Sequence, residues 1–214
     1  MGFTIPDTIL QYIERGITMK YNMTARLFPL IFDRYAYAWL REQGIHTIMK
    51  DRVHREYRAM IHRTPEFPKD NSLMGNLLMG CYILSFYKAY PKEINEDIFH
   101  GLVLAVCHSK PMVNGHKKEN PFDIRLLKQK ESDAVRSQKS QYEMDWQYDF
   151  KYDEGIPAYD LTYTKCGLCR LGERENCLHL IKYLCEADYI TYSLMGAALK
   201  RTQTIAGGDA CCDF

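Results

Sequence analysis

The sequence predicts an α+β chain: a mainly helical first half, then an antiparallel sheet of about four strands with one further helix. Three observations carry that reading. From Thr24 to His108, apolar residues recur at spacings of three and four, the repeat of an amphipathic helix. From Met144 the period drops to two, with Trp146, Tyr148, Phe150 and Tyr152 alternating against polar neighbours. Helices come first and strands later, an order that favours an antiparallel sheet over βαβ units. The 214 residues suit one α+β domain, residues 1–140 mainly helical and residues 141–214 carrying the sheet and the motifs.

Each element has its own justification. Asp7 is placed to cap a short helix over Thr8 to Arg15. Thr24 to Gln43 brings Leu27, Leu30, Ile31, Tyr35, Ala38 and Trp39 to helical spacing and stops near Gly44. Thr47 to His62 continues the pattern and ends before Pro65. Leu73 to Tyr90 is apolar nearly all round, which places it centrally. Glu93 to His108 lies between Pro91 and Pro111, and a helix over about Phe122 to Gln138 follows Pro121. The polar stretch Lys128 to Gln141 reads as a mobile linker or exposed helix. Met144 to Asp153 and Ala158 to Lys165 are the first two strands, turned at Glu154-Gly155-Ile156-Pro157. A helix is expected over about Arg174 to Tyr189. A third strand is expected over Leu199 to Ala206, a Gly207-Gly208-Asp209 turn, and a fourth strand from Cys211.

Bulk properties exclude several classes. A formal net charge of +1 gives no field for nucleic acid or an anionic membrane. The stretch Lys50 to Arg58 is basic but includes Asp51 and Glu56, and reads as a solvated helix face. The apolar run Leu73 to Tyr87 contains Asn76 and falls short of the ~20 residues a membrane span needs. No secretory or myristoylation signal opens the sequence, so a cytoplasmic setting with reduced thiols is expected. The partner implied is a small-molecule substrate. The helical half is the surface offered for self-association.

The chemistry gathers at the end. Six of the eight cysteines lie from Cys166 onward. Cys166-Gly-Leu-Cys169 sits where a strand hands over to a helix, and a thiol at a helix N-terminus has a lowered pKa. Cys185 and Asp188 are one helical turn apart and share a face. In the last strand Cys212 and Phe214 face one way, Cys211 and Asp213 the other. Any one of these cysteines alone reads more readily as a small buried hydrophobe, and Cys81 and Cys177 are expected to be core residues. Cys166, Cys169, Cys185 and Cys212 offer an alternative four-thiolate zinc site, although adjacent Cys211 and Cys212 point to opposite faces. His46, His54 and His62 are each rotated by ~80° around a helix and form no ligand face. Arg201 could hold a carboxylate bidentately.

Together, Tyr159 to Cys166, Cys185-Glu-Ala-Asp188, Arg201-Thr-Gln-Thr204 and Cys212-Asp-Phe214 resemble the L-2-amino-thiazoline-4-carboxylic acid hydrolase family. The motifs span about the last 60 residues. The family pattern runs on past Cys-Asp-Phe, whereas this sequence stops at Phe214, so a short last strand is expected. The resemblance implies a hydrolase that adds water at C2 of a 2-aminothiazoline ring to give N-carbamoyl-cysteine, without a cofactor. Cys185 is then the expected nucleophile and Asp188 the proton carrier or amidinium partner. Arg201 would anchor the carboxylate, Thr202 or Thr204 would orient the ring, and Cys166 and Cys212 would line the pocket. A similar glycine–cysteine–phenylalanine ending occurs in the vinyl-reductase-associated domain. That gives a second class, a non-catalytic small-molecule sensor, beside the cysteine-ligated metal protein.

Overall fold

The computed structural model describes residues 18–68 and 71–214. The expected helix over Thr8 to Arg15 lies outside them. Eight α-helices and a three-stranded sheet make up the described part, so the α+β class holds with one strand fewer than expected. The helices of the first half are α1 (Met23–Glu42), α2 (Lys50–Arg63), α3 (Met74–Ala89), α4 (Glu96–Cys107), α5 (Lys110–His116) and α6 (Ile124–Ser137). The second half holds β1 (Gln147–Tyr152), β2 (Tyr159–Lys165), α7 (Gly167–Arg174), α8 (Leu178–Leu194), a 3₁₀ turn at Ile205–Gly207, and β3 (Cys212–Asp213).

Local chemistry starts several helices where the sequence suggests. Asn22, Asn95 and Asp123 cap α1, α4 and α6 by accepting from the backbone N–H of Ala25, Ile98 and Arg125. The α3 helix buries residues all round, from Leu77 and Leu78 through Cys81, Tyr82 and Ile83 to Phe86. It packs on α2 and α7, while α4 packs on α1 and α8. A buried polar knot fastens α1 to α2 and α3: Asp33 accepts from Tyr82 at 2.9 Å and lies 2.9 Å from His54 Nε2. Cys81 and Cys177 are fully buried, as expected of core residues, and all eight cysteines are free.

The sheet runs in the order β1-β2-β3, antiparallel throughout. Tyr152 faces Tyr159 across the first turn, and a bulge falls between Gln147 and Tyr148. Trp146 and Tyr148 are buried, and Phe150 and Tyr152 half-buried, so the alternating face packs inward. On the outer edge of β1, Ser137 Oγ accepts from Tyr148 N–H at 3.2 Å. Gln138 Nε2 donates to the Tyr148 carbonyl at 3.1 Å. The Lys128 to Gln141 stretch is therefore no linker. Most of it is α6, which packs on β1 with Asp133, Ala134 and Ser137 buried.

Three further expectations need correction. Leu199 to Ala206 is not a strand, because side-chain carboxylates take the N–H groups a ladder would need. Asp213 Oδ1 accepts from Thr202 N at 2.8 Å and Gln203 N at 2.6 Å, and Asp209 Oδ2 accepts from Thr204 N at 2.8 Å. The hairpin is consequently replaced by a 3₁₀ turn, and β3 pairs with β2 instead. Second, the helix expected over about Arg174 to Tyr189 starts later, as α8 from Leu178, and a separate helix, α7, precedes it where none was expected. Asn176 adopts φ 55°, a left-handed conformation asparagine tolerates, and breaks the run between α7 and α8. Third, α5 lies in a stretch where no helix was expected. No helix of the described residues is long and apolar enough to cross a membrane.

Candidate functional site

Cys166 follows β2 directly and is the N-cap residue of α7, with extended backbone angles of φ −121° and ψ 119°. One residue thus closes a strand and opens a helix. The handover leaves no room beside it. A Cβ on Gly167 would meet the Met144 carbonyl oxygen and lie 2.8 Å from Trp146 Cζ3. Glycine is therefore required by close approach of the β1 entry. Gly167→Ala is expected to cost about 1–3 kcal/mol by overpacking and to shift Cys166 from its place. Urea unfolding checks the first, and a wild-type-like midpoint would show that the β1 entry yields instead.

Four elements then converge. Helix α8 contributes Cys185 and, one turn on, Asp188. The 199–204 segment contributes Arg201, β3 contributes Cys212, and Phe214 follows it. With Cys166 they line one cavity of about 620 Å³. Tyr159, Tyr163 and Tyr192 complete an aromatic side, the hydroxyls of Tyr159 and Tyr192 2.7 Å apart. A broader groove of about 1010 Å³ shares Tyr159, Tyr192 and Phe214 with this cavity but is lined by no thiol. The thiol cavity is accordingly the candidate site.

The thiols differ electrically. The Cys169 thiol lowers the pKa of Cys166 most, and the N–H groups of Cys169 and Leu168 at the start of α7 add to it against burial. The same contact, with burial, drives Cys169 far up. Burial also drives Cys185 well above the usual thiol range, helped by the charges of Cys166 and Asp188. Cys212 is pushed up to about 11 by burial, and its Sγ accepts from Ile205 N–H at 3.2 Å. Among the cavity thiols, Cys166 is the one whose partners favour the anion, while burial disfavours it in Cys185.

Asp188 is raised to about 6 by burial, against the pull of Arg201. Arg201 Nη1 donates to Asp188 Oδ2 at 2.8 Å and Nη2 to the Cys185 carbonyl at 3.0 Å. Its guanidinium carbon lies 4.8 Å from the Tyr189 ring centre and 5.1 Å from that of Phe214, and its side chain is only 5% exposed. The Asp188 side chain is 37% accessible and lines the cavity.

Of the residues singled out from sequence, Cys166, Cys185, Asp188, Arg201 and Cys212 meet at the cavity. Thr202 and Thr204 do not line it. Thr202 Oγ1 donates to Asp213 Oδ2 at 2.6 Å, and Thr204 Oγ1 accepts from Gly207 N at 3.1 Å. Cys211 Sγ donates to Gln203 Oε1 at 2.9 Å and does not line the cavity either. Among the described residues no three His, Cys, Asp or Glu side chains are disposed to hold an ion. Cys169 is buried and does not line the cavity, and Cys212 already takes a backbone N–H.

Lys130 and Asp133 of α6 line the same cavity and were missed, because the polar composition of that stretch read as solvated. A signal was present. Leu126, Lys130 and Asp133 follow the i, i+4, i+7 spacing of one helix face. A family model described as L-2-amino-thiazoline-4-carboxylic acid hydrolase matches residues 80–214. That span includes all five of the converging residues. No curated protein and no solved structure matches the chain.

Proposed function

The chain belongs to the L-2-amino-thiazoline-4-carboxylic acid hydrolase family, and from that premise we propose a thiol-dependent hydrolase that opens a thiazoline or related cyclic amidine ring of a small amino-acid-like substrate. The observation that carries the mechanism is Cys166 at the α7 N-terminus, on a cavity shared with Cys185 and Asp188. C2 of a 2-aminothiazoline is an amidine carbon bonded to sulfur. The Cys166 thiolate attacks C2, the C2–S ring bond breaks, and the ring sulfur leaves as a thiolate that takes a proton. An isothiourea adduct remains on Cys166. Water then adds at the same carbon and expels Cys166, giving the N-carbamoyl amino thiol. Burial leaves the Cys185 thiol too weak an acid to protonate a thiolate, so it lines the cavity and the ring sulfur takes its proton from water. Asp188 is suited to accept one from water.

This reading moves the nucleophile from Cys185 to Cys166 and gives Arg201 a different task. Arg201 keeps Asp188 charged and in place. Turnover and adduct formation with 2-aminothiazoline-4-carboxylate, followed by mass spectrometry, test the reading. If Cys166 forms no adduct and alkylates no faster than an ordinary thiol, a ligand-binding module replaces the enzyme.

The pH profile follows from Asp188. Its carboxyl titrates at about 6, so it is a carboxylate above that pH and a neutral acid below. The part of the rate that needs the Asp188 carboxylate is expected to be lost as pH drops through about 6. In Asp188→Asn the low-pH limb should vanish along with most of the rate. Survival of the limb in that variant assigns it to another group.

A further inference from the structure

The thiol cavity holds a cation that the reaction steps do not use. Lys130 lines it from α6, its Nζ 5.9 Å from the Tyr159 ring centre. The acids nearest to it are engaged elsewhere. Asp133 accepts from Gln129 at 3.2 Å and sits 3.8 Å from Arg136, and Glu119 lies 3.2 Å from His116. Among the described residues Lys130 has no ion-pair partner, and burial pulls its ammonium below the ordinary lysine range. Arg201, the other cavity cation, is occupied by Asp188, the Cys185 carbonyl and two rings.

A desolvated ammonium is costly unless an anion meets it. The α6 side of the cavity thus carries Lys130 without an ion-pair partner beside Asp133 and Glu119, which are bonded to Gln129 and His116, and the side of α7 and α8 carries the thiols and Asp188. An amino-acid-like molecule with a carboxylate and an amidine complements that layout. We infer that Lys130 anchors the substrate carboxylate and selects small carboxylate-bearing rings over neutral ones, an inference that rests on the reading of the cavity as a substrate site.

The test separates the anchor from the hydrolase. Wild type, Lys130→Arg and Lys130→Met are alkylated with iodoacetate and with iodoacetamide, and the rates at Cys166 and Cys185 are read by peptide mass spectrometry. Both reagents transfer a group to sulfur with loss of iodide and differ in the carboxylate. The iodoacetate-to-iodoacetamide ratio is expected to fall roughly tenfold or more in Lys130→Met, the size of a lost charge-assisted contact. Lys130→Arg should retain most of it. In parallel, Lys130→Met should raise KM for 2-aminothiazoline-4-carboxylate far more than it lowers kcat. It should leave 2-aminothiazoline, which lacks the carboxylate, unaffected.

Equal reagent ratios in wild type and Lys130→Met overturn the anchor, whatever the turnover. A loss of ratio that Lys130→Arg does not restore also overturns it, since it points to packing. Cavity thiols that take up neither reagent overturn it as well, because the site then admits no such anion. A lost ratio without ring opening by wild type upholds the anchor and overturns the hydrolase.

Discussion

Cys166→Ala is expected to abolish ring opening, with a loss of at least about 10³-fold in kcat/KM, because it removes the proposed nucleophile. Cys185→Ser should lose much less, since Cys185 forms no bond to the substrate. Two features underlie the difference. Cys166 caps a helix, where N–H groups and the adjacent Cys169 thiol favour the anion. Cys185 lies in the middle of α8, where burial disfavours it. Steady-state kinetics on both variants decide the matter, and intact-protein mass spectrometry locates the adduct. Full hydrolysis by Cys166→Ala with loss in Cys185→Ser would return the nucleophile to α8. Circular dichroism guards against loss of fold, which is not expected from removing one sulfur atom.

Glu175→Ala is expected to have the largest effect on stability. The Glu175 side chain is only 5% exposed and sits at the break between α7 and α8. Arg63 of α2 grips it through Nε at 2.7 Å and Nη2 at 2.6 Å, and Lys88 of α3 donates to its carbonyl at 2.8 Å. This clamp is one of the polar ties between the helical half and the segment that carries Cys166. Breaking a fully buried pair costs about 3–5 kcal/mol. Arg63 is 40% exposed, so water would take up part of the loss, and about 2–3 kcal/mol is expected. At this chain length that lowers Tm by roughly 4–12 °C. Glu175→Gln should recover part of it by keeping an acceptor for Arg63. A Tm unchanged in Glu175→Ala would show that the clamp adds nothing to packing.

Much of the fold was legible because its signals are local. The 3.6-residue repeat marked α1 through α4, and the two-residue repeat marked β1. The α7–α8 break was less so. It depends on Asn176 adopting a left-handed conformation and on Gly172 lying against Leu178 and Ile181, which are tertiary facts. The third strand failed for a related reason. Thr202-Gln203-Thr204 has strand composition, but Asp213 and Asp209, distant by a turn, capture its N–H groups. At the site, residue spacing sufficed to pair Cys185 with Asp188. It could not say which thiol ionises, since that depends on the partners each acquires on folding. Nor could it find Lys130, whose composition is that of a solvated helix and whose place on the cavity is set by α6 packing on β1.

The two side-chain locks on the sheet carry a consequence for association. A three-stranded sheet normally offers an unpaired ladder on each side, a template for another strand. Here Ser137 and Gln138 occupy the free N–H and carbonyl of Tyr148 on the β1 side. On the β3 side, Asp213 and Cys212 turn their side chains to hold Thr202, Gln203 and Ile205. On the β1 side a strand adding at Tyr148 would therefore meet backbone groups already taken. A serine and a glutamine thereby block the pairing of a further copy with the aromatic-rich β1 at Tyr148.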